Sequence, residues 1–165
     1  MDSRGFTLVE LIVVMVIIGI VIAVATLDFQ SMQEKGQVEK QTRIIHSELS
    51  ALRIDAMQKK QKSAAFLGPK QIIFKRYTSD AEAVLTGGTT ISTISLQKEI
   101  RNLAAMSTQL NVTTDRILID TRGYSSNFTL VVLPVNFNSV DNCILVSTAR
   151  TNIGRMDDAS TCTAH

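Results

Sequence analysis

Glu10 is the residue whose chemistry most needs an explanation. It is the only charge between Arg4 and Asp28, near the start of the longest apolar run, "LIVVMVIIGIVIAVA" (11–25). A carboxylate in hydrocarbon costs about 2.5 to 3.5 kcal/mol on insertion scales, so keeping one there calls for a partner of opposite charge. The other reactive side chains are scattered. Asp115, Asp120, Asp141, Asp157 and Asp158 are dispersed, and a calcium site from "MDDAS" (156–160) with Asp141 lacks EF-hand spacing. His46 lies far in sequence from Cys143 and Cys162, His165 follows Cys162 by three residues, and two cysteines do not make the four-ligand set of a structural zinc. No HExxH, GxSxG, P-loop or GxGxxG occurs. "LTGGTTIS" (85–92) is a hairpin-like turn without a Lys for phosphate. The chain reads as non-enzymatic, with no cofactor and no metal.

Cys143 and Cys162 are nineteen apart, in a segment rich in Asn, Ser and Thr. That is compatible with a disulfide, which would contribute about 3 kcal/mol and place the domain in an oxidising compartment. The alternative is two free thiols in a reducing cytosol. The apolar segment at the head of the chain favours the bridge.

These residues must be positioned by a chain of 165 residues, enough for one domain and one further element. Seventeen cations against fifteen acids leave a net charge of +2, which by itself calls for neither nucleic acid nor an anionic membrane. From Phe6 to Leu27 the chain is apolar except for Thr7, Glu10, Gly19 and Thr26. As a helix this stretch spans roughly 33 Å at 1.5 Å per residue, enough for a bilayer core. It is too long for the apolar region of a secretory signal peptide and has no convincing A-x-A exit. A plain membrane anchor fits the length, with Arg4 on the cytoplasmic side. It explains neither Glu10 nor the polar pentapeptide "MDSRG" in front.

"RGFTLVELIVVMVIIGIVIA" (4–23) resembles the N-terminus of type IV prepilins and type II secretion prepseudopilins. The resemblance implies cleavage by prepilin peptidase after Gly5, N-methylation of Phe6 as the new first residue, and Glu10 as the family's hallmark acid. The physics agrees. Cleavage creates an ammonium at Phe6, and a buried ammonium and carboxylate each relieve the other's desolvation cost. Glu10 of an incoming subunit can then meet the Phe6 amine of a docked one, and the pair sets the stagger of otherwise unspecific apolar helices. Many pilins carry Pro about where Leu27 stands, so a more continuous helix is expected here.

Beyond Asp28 the chain turns polar but keeps helical spacing. Ile45, Leu49, Leu52 and Ala56 fall on one helix face, Met57 flanks it, and Phe29, Met32 and Gly36 extend a stripe upstream. No Pro occurs before Pro69, so one helix from about Phe6 to about Lys60 is expected. Residues 35–62 carry seven cations against three acids, which suits a solvated face or a contact with an acidic neighbour. After "FLGPK" β-branched residues dominate. Strands are expected at 71–77, 90–96, 116–120, 128–134 and 143–148, and "LQKEIRNLAAM" (96–106) is compatible with a short helix. The expected fold is α+β: a long N-terminal helix packed on an antiparallel β domain. The divisions are a leader at 1–5, a transmembrane or filament-core helix at 6–27, an amphipathic continuation at 28–62 and a periplasmic β-rich domain at 63–165.

The later half, "ILIDTRGYSS", "FTLVVL" and "CILVSTARTNIGR", resembles GspH/FimT-type minor pseudopilins and minor pilins. The resemblance implies a structural subunit that starts or caps a type II secretion pseudopilus or a type IV pilus. Its partners would be prepilin peptidase, other minor and major pilins or pseudopilins, and the inner-membrane assembly platform. It would be single-pass in a bacterial inner membrane with its C-terminal domain in the periplasm, then part of the filament tip. The alternative is a DNA-binding minor pilin of a competence system, with Arg150 and Arg155 as contacts. Asn152 stands where the DNA-binding members' second Arg would fall, and residues 63–165 hold nine cations against eight acids. That is a weak field for phosphates.

Overall fold

The apolar run and the stripe behind it form one uninterrupted helix. A computed structural model describes residues 7–78, 85–135, 141–158 and 160–164. It places α1 at Leu8–Lys59, 52 residues, unbroken through Gly19 and through the position where Pro is absent. The expected leader, Gly5 and Phe6 lie outside the described residues. The helix stops at Lys60, which takes φ 53, while the Gln61 amide donates to the Ala56 carbonyl at 3.2 Å. This left-handed stop is usually Gly; a cation tolerates it at the end where the helix dipole is negative.

The chain divides into two compact units, Met1–Gly36 and Gln37–His165. The second therefore includes the helix from Gln37. Among the described residues nine strands follow the helix: β1 Lys62–Gly68, β2 Gln71–Tyr77, β3 Thr89–Ser95, β4 Ile100–Asn102, β5 Arg116–Ile119, β6 Phe128–Val132, β7 Cys143–Val146, β8 Thr151–Met156 and β9 Cys162–Ala164. They make two antiparallel sheets, ordered β3-β2-β1-β5 and β4-β6-β7-β8-β9. The α+β expectation holds.

One core joins the helix to both sheets. Ile45, Leu49, Leu52 and Ala56 are buried as their spacing predicts, and Val38 heads the stripe. They pack with Leu67, Ile72 and Phe74 of the first sheet and Leu130, Val132 and Ile144 of the second. Phe29 and Met32 are exposed and do not extend the buried stripe. Leu49→Ala is expected to cost about 3 kcal/mol, the transfer term plus a cavity that rigid neighbours on two sheets cannot close. Urea unfolding would measure it, and a cost below about 1 kcal/mol would contradict this packing.

β8 and β9 were not among the expected strands, and two further elements differ from expectation. β1 was not anticipated, because "KSAAFLG" carries no β-branched residue. It is a central strand with nearly every side chain buried, and Ala64 and Ala65 fit where neighbours crowd both faces. Residues 96–106 are not a helix. Ile100 pairs with Val132, and only Leu103–Ala105 turns helically, in 3-10 geometry capped by Asn102. The helical spacing of Leu96, Ile100 and Leu103 is met another way: the first two enter the main core, and Leu103 packs beyond the second sheet against Val131, Cys143 and Met156.

Polar side chains along α1 tie it to the sheets. Gln41 brackets Lys98, its amide donating to the carbonyl at 2.7 Å and its oxygen accepting from the backbone N–H at 2.8 Å. Arg43 pairs with Asp141 at 2.8 Å, and His46 Nε2 meets the Thr151 carbonyl at 3.0 Å. Arg43, Arg53 and Lys59 all find partners within the chain, so the lopsided charge of this stretch is partly internal.

Candidate assembly interface

Thr7 and Glu10 begin the helix together. The Thr7 Oγ1 accepts from the Glu10 amide at 3.2 Å, and the Leu11 amide donates to the Thr7 carbonyl at 3.3 Å. T-L-V-E is a capping-box spacing, Ser/Thr at the cap and Glu three residues on. Glu10 thus sits in a capped first turn, held there through its backbone amide. Its carboxylate also lies in the first turn, where the helix dipole favours negative charge.

Behind Glu10 the helix is apolar on every side. Leu11, Ile12, Val13, Met15, Ile17, Ile20 and Val21 are all about half exposed or more. A helix that is apolar all round is stable only when lipid or other helices cover it. Among the described residues no helix is long and apolar enough to cross a membrane. The described side chains of the run stop at Ala23 and resume at Phe29.

At the other end of α1 the geometry is tightly polar. Arg53 is buried, and its Nη2 donates to Ser125 Oγ at 2.8 Å and to the Ser147 carbonyl at 3.1 Å. Its Nε and Nη1 are buried and find no hydrogen-bond partner among the described residues, and burial pulls its pKa down. One turn on, Gly123 sits at φ +83, where a Cβ would meet Met57 Sδ at 2.7 Å. The turn takes a positive φ at Gly123, and the close approach of the helix adds a second reason for glycine. Asp120 Oδ1 shapes the same turn by accepting from the Arg122 and Tyr124 amides, both at 2.8 Å.

Asp55 is held by two cations, Lys59 at 2.6 Å and Arg76 at 2.5 Å. Burial pushes its carboxyl up, but the hydrogen bonds from Lys59 and Arg76 outweigh it and leave the pKa below the usual carboxylate value. A depressed folded pKa contributes stability above the unfolded value, about 3.9, and that contribution is lost as pH falls through the folded value. Wild type is therefore expected to lose more of its urea midpoint than Asp55→Asn between pH 5 and pH 2. Parallel curves for the two proteins would contradict this role.

The structure joins Cys143 and Cys162 in a disulfide. β7 and β9 both carry a cysteine, and β8 runs between them. Gly154 lies at the crossing, where a Cβ would stand 3.0 Å from Cys162 Sγ and 2.6 Å from the Thr163 carbonyl. Arg150 is exposed just before β8, whereas Arg155 lies near the far end of that strand and pairs with Asp157 at 3.2 Å. The strand separates the two rather than bringing them together. Among the described residues no three His, Cys, Asp or Glu come together to hold a metal ion.

Residues 1–26 match the prokaryotic N-terminal methylation motif. Two structures of the minor pseudopilin EpsH from the type 2 secretion system of Vibrio cholerae share the fold. One superposes with a TM-score of 0.55 at 11% identity, over 72% of this chain and 97% of that one. The other gives 0.54 at 12%, over 73% and 94%. No curated protein matches the chain in sequence.

Proposed function

From an N-terminal methylation motif set on the fold of a minor pseudopilin, we propose that this chain is a minor pseudopilin or minor pilin. It is a structural subunit rather than an enzyme. Prepilin peptidase removes residues 1–5 and the Phe6 amine is methylated. The apolar helix stands in the inner membrane until the subunit enters a filament, with the β domain on the periplasmic side. There it joins other minor subunits in starting or capping a type II secretion pseudopilus or a type IV pilus. The observation that carries this reading is the motif over residues 1–26 leading without a break into a helix that is apolar on every side.

The test is expression of the full chain with and without a prepilin peptidase, followed by intact mass. The expected product lacks "MDSRG" and carries one added methyl on Phe6, and Gly5→Val stays at full length. Cleavage near "AVA" (23–25) instead would make the segment a secretory signal and overturn the reading. The DNA-binding alternative has no comparable support, since Arg150 and Arg155 are held apart by β8. Salt-sensitive binding of duplex DNA by the full chain, lost in Arg150→Ala/Arg155→Ala, would restore it.

A further inference from the structure

The two sheets end in four edges of different kinds. β4 and β9 are three residues long. β5 is covered by the chain that follows it, through the Ile119–Ser125 bridge, the Leu118 amide on Ser126 Oγ and the Ser126 amide on the Leu118 carbonyl. β3 is different. It is seven residues, "TTISTIS", without a charge or a proline, and among the described residues no strand lies outside it. Soluble proteins blunt such edges with Lys, Pro or short length because an open ladder recruits another strand.

A pair of pockets lies beside this edge, between β3 and α1. One, about 390 Å³, lies between Lys40, Gln41 and Ile44 on the helix and Ile94 and Leu96. The other, about 290 Å³, lies between Glu48 and Leu52 on the helix and Ile91 and Ser92. Ile91 is the extra residue where the β2–β3 register shifts, and it is well exposed. An edge strand flanked by a helix, with Ile44, Leu52, Phe74 and Ile94 set among polar side chains between them, is a geometry by which an extended peptide adds a strand and seats alternate side chains.

We propose that β3 is the acceptor edge for an extended segment of a different subunit, which adds antiparallel to it with alternate apolar side chains in these pockets. The charges give that segment a polarity: an acidic residue at the Lys40 end and a basic one at the Glu48 end. Another copy of this chain is a poor donor. Its β4 and β9 are too short and its β5 edge is covered. β3 runs opposite to α1, so subunits assembled in one direction present their β3 strands parallel, which is the weaker pairing. That last step rests on the assembly reading above; the open edge and the pockets do not.

The experiment uses the full chain in detergent micelles and two synthetic heptapeptides of alternating Val and Thr, acidic at one end and basic at the other. One is unmodified, and the other is N-methylated at alternate backbone nitrogens so that it cannot complete a ladder. Amide hydrogen exchange is the readout. The unmodified peptide is expected to slow exchange at least tenfold in residues 89–95, the N-methylated one to leave it unchanged, and Ser92→Lys to weaken the effect about tenfold. No protection at millimolar peptide, or equal protection by both peptides, overturns strand addition. Protection that rises with protein concentration without peptide, together with a dimer by sedimentation, makes the occupant a second copy and also overturns the proposal. Leader processing is measured separately, so a failure here is distinguishable from a failure of the functional reading.

Discussion

Glu10→Gln is expected to leave leader cleavage intact and to lower incorporation of the chain into filaments by about 10² to 10⁴-fold. The size follows from physics: removing one partner of a buried pair leaves the other charge uncompensated, at about 3 to 5 kcal/mol. Gln is the informative substitution because a capping box accepts Gln as readily as Glu at that position, and the Thr7 Oγ1 bond to the residue 10 amide is untouched. Glu10→Ala removes the whole carboxyl group, and with it the return bond a capping box can make to the Thr7 amide, while the Thr7 Oγ1 bond to the residue 10 amide stays. Copies per filament, counted by quantitative mass spectrometry, separate the two roles. Normal incorporation of Glu10→Gln beside failure of Glu10→Ala would make Glu10 a helix-starting residue and end the ion-pair account.

Gly154→Val is expected to prevent the Cys143–Cys162 bridge and to lower stability by at least as much as losing the bridge, about 3 kcal/mol for a loop of this length. The disulfide joins strands on either side of β8, and Gly154 is where its path and the Thr163 carbonyl come closest. A branched side chain there must push either β9 or the sulfur aside. The check is thiol titration of the purified chain with urea midpoints for Gly154→Val and for Cys143→Ala/Cys162→Ala. Two free thiols and a midpoint no higher than the double variant's are expected. An intact bridge at the wild-type midpoint would show that the crossing has room to spare.

What the sequence made legible followed from periodicity and from cysteine spacing. The stripe through Ile45, Leu49, Leu52 and Ala56 could be read because one helix face meets one core. Strands such as Gln71–Tyr77 and Cys143–Val146 announced themselves through β-branched and apolar runs. β1 did not, because a strand crowded on both faces selects small residues, and Ala gives no strand signal. Residues 96–106 misled because Leu96, Ile100 and Leu103 are spaced for a helix while serving two separate clusters. At the start of α1, Glu10 stood out as a charge in an apolar run. The bond of its backbone amide to Thr7 was legible too, as the T-x-x-E spacing of a capping box. Arg53 offered no local clue. Its partners Ser125 and Ser147 lie some seventy and ninety residues on, and only the folded chain brings them to it.

Gln41 holds a wider consequence. Its carboxamide resembles a peptide unit, an N–H donor and a C=O acceptor side by side, and it engages both backbone groups of Lys98 as a neighbouring strand would. The helix thus supplies a single rung of sheet from a side chain, just before the short strand β4. A rung made this way cannot be continued, because the next residue of a helix points elsewhere. α1 is therefore an end-stop as well as a lid, and if it peels from the domain it uncovers ladder and core together. Glu at position 41 keeps the acceptor and loses the donor, so one atom's change is enough to ask how much of that closure a single side chain supplies.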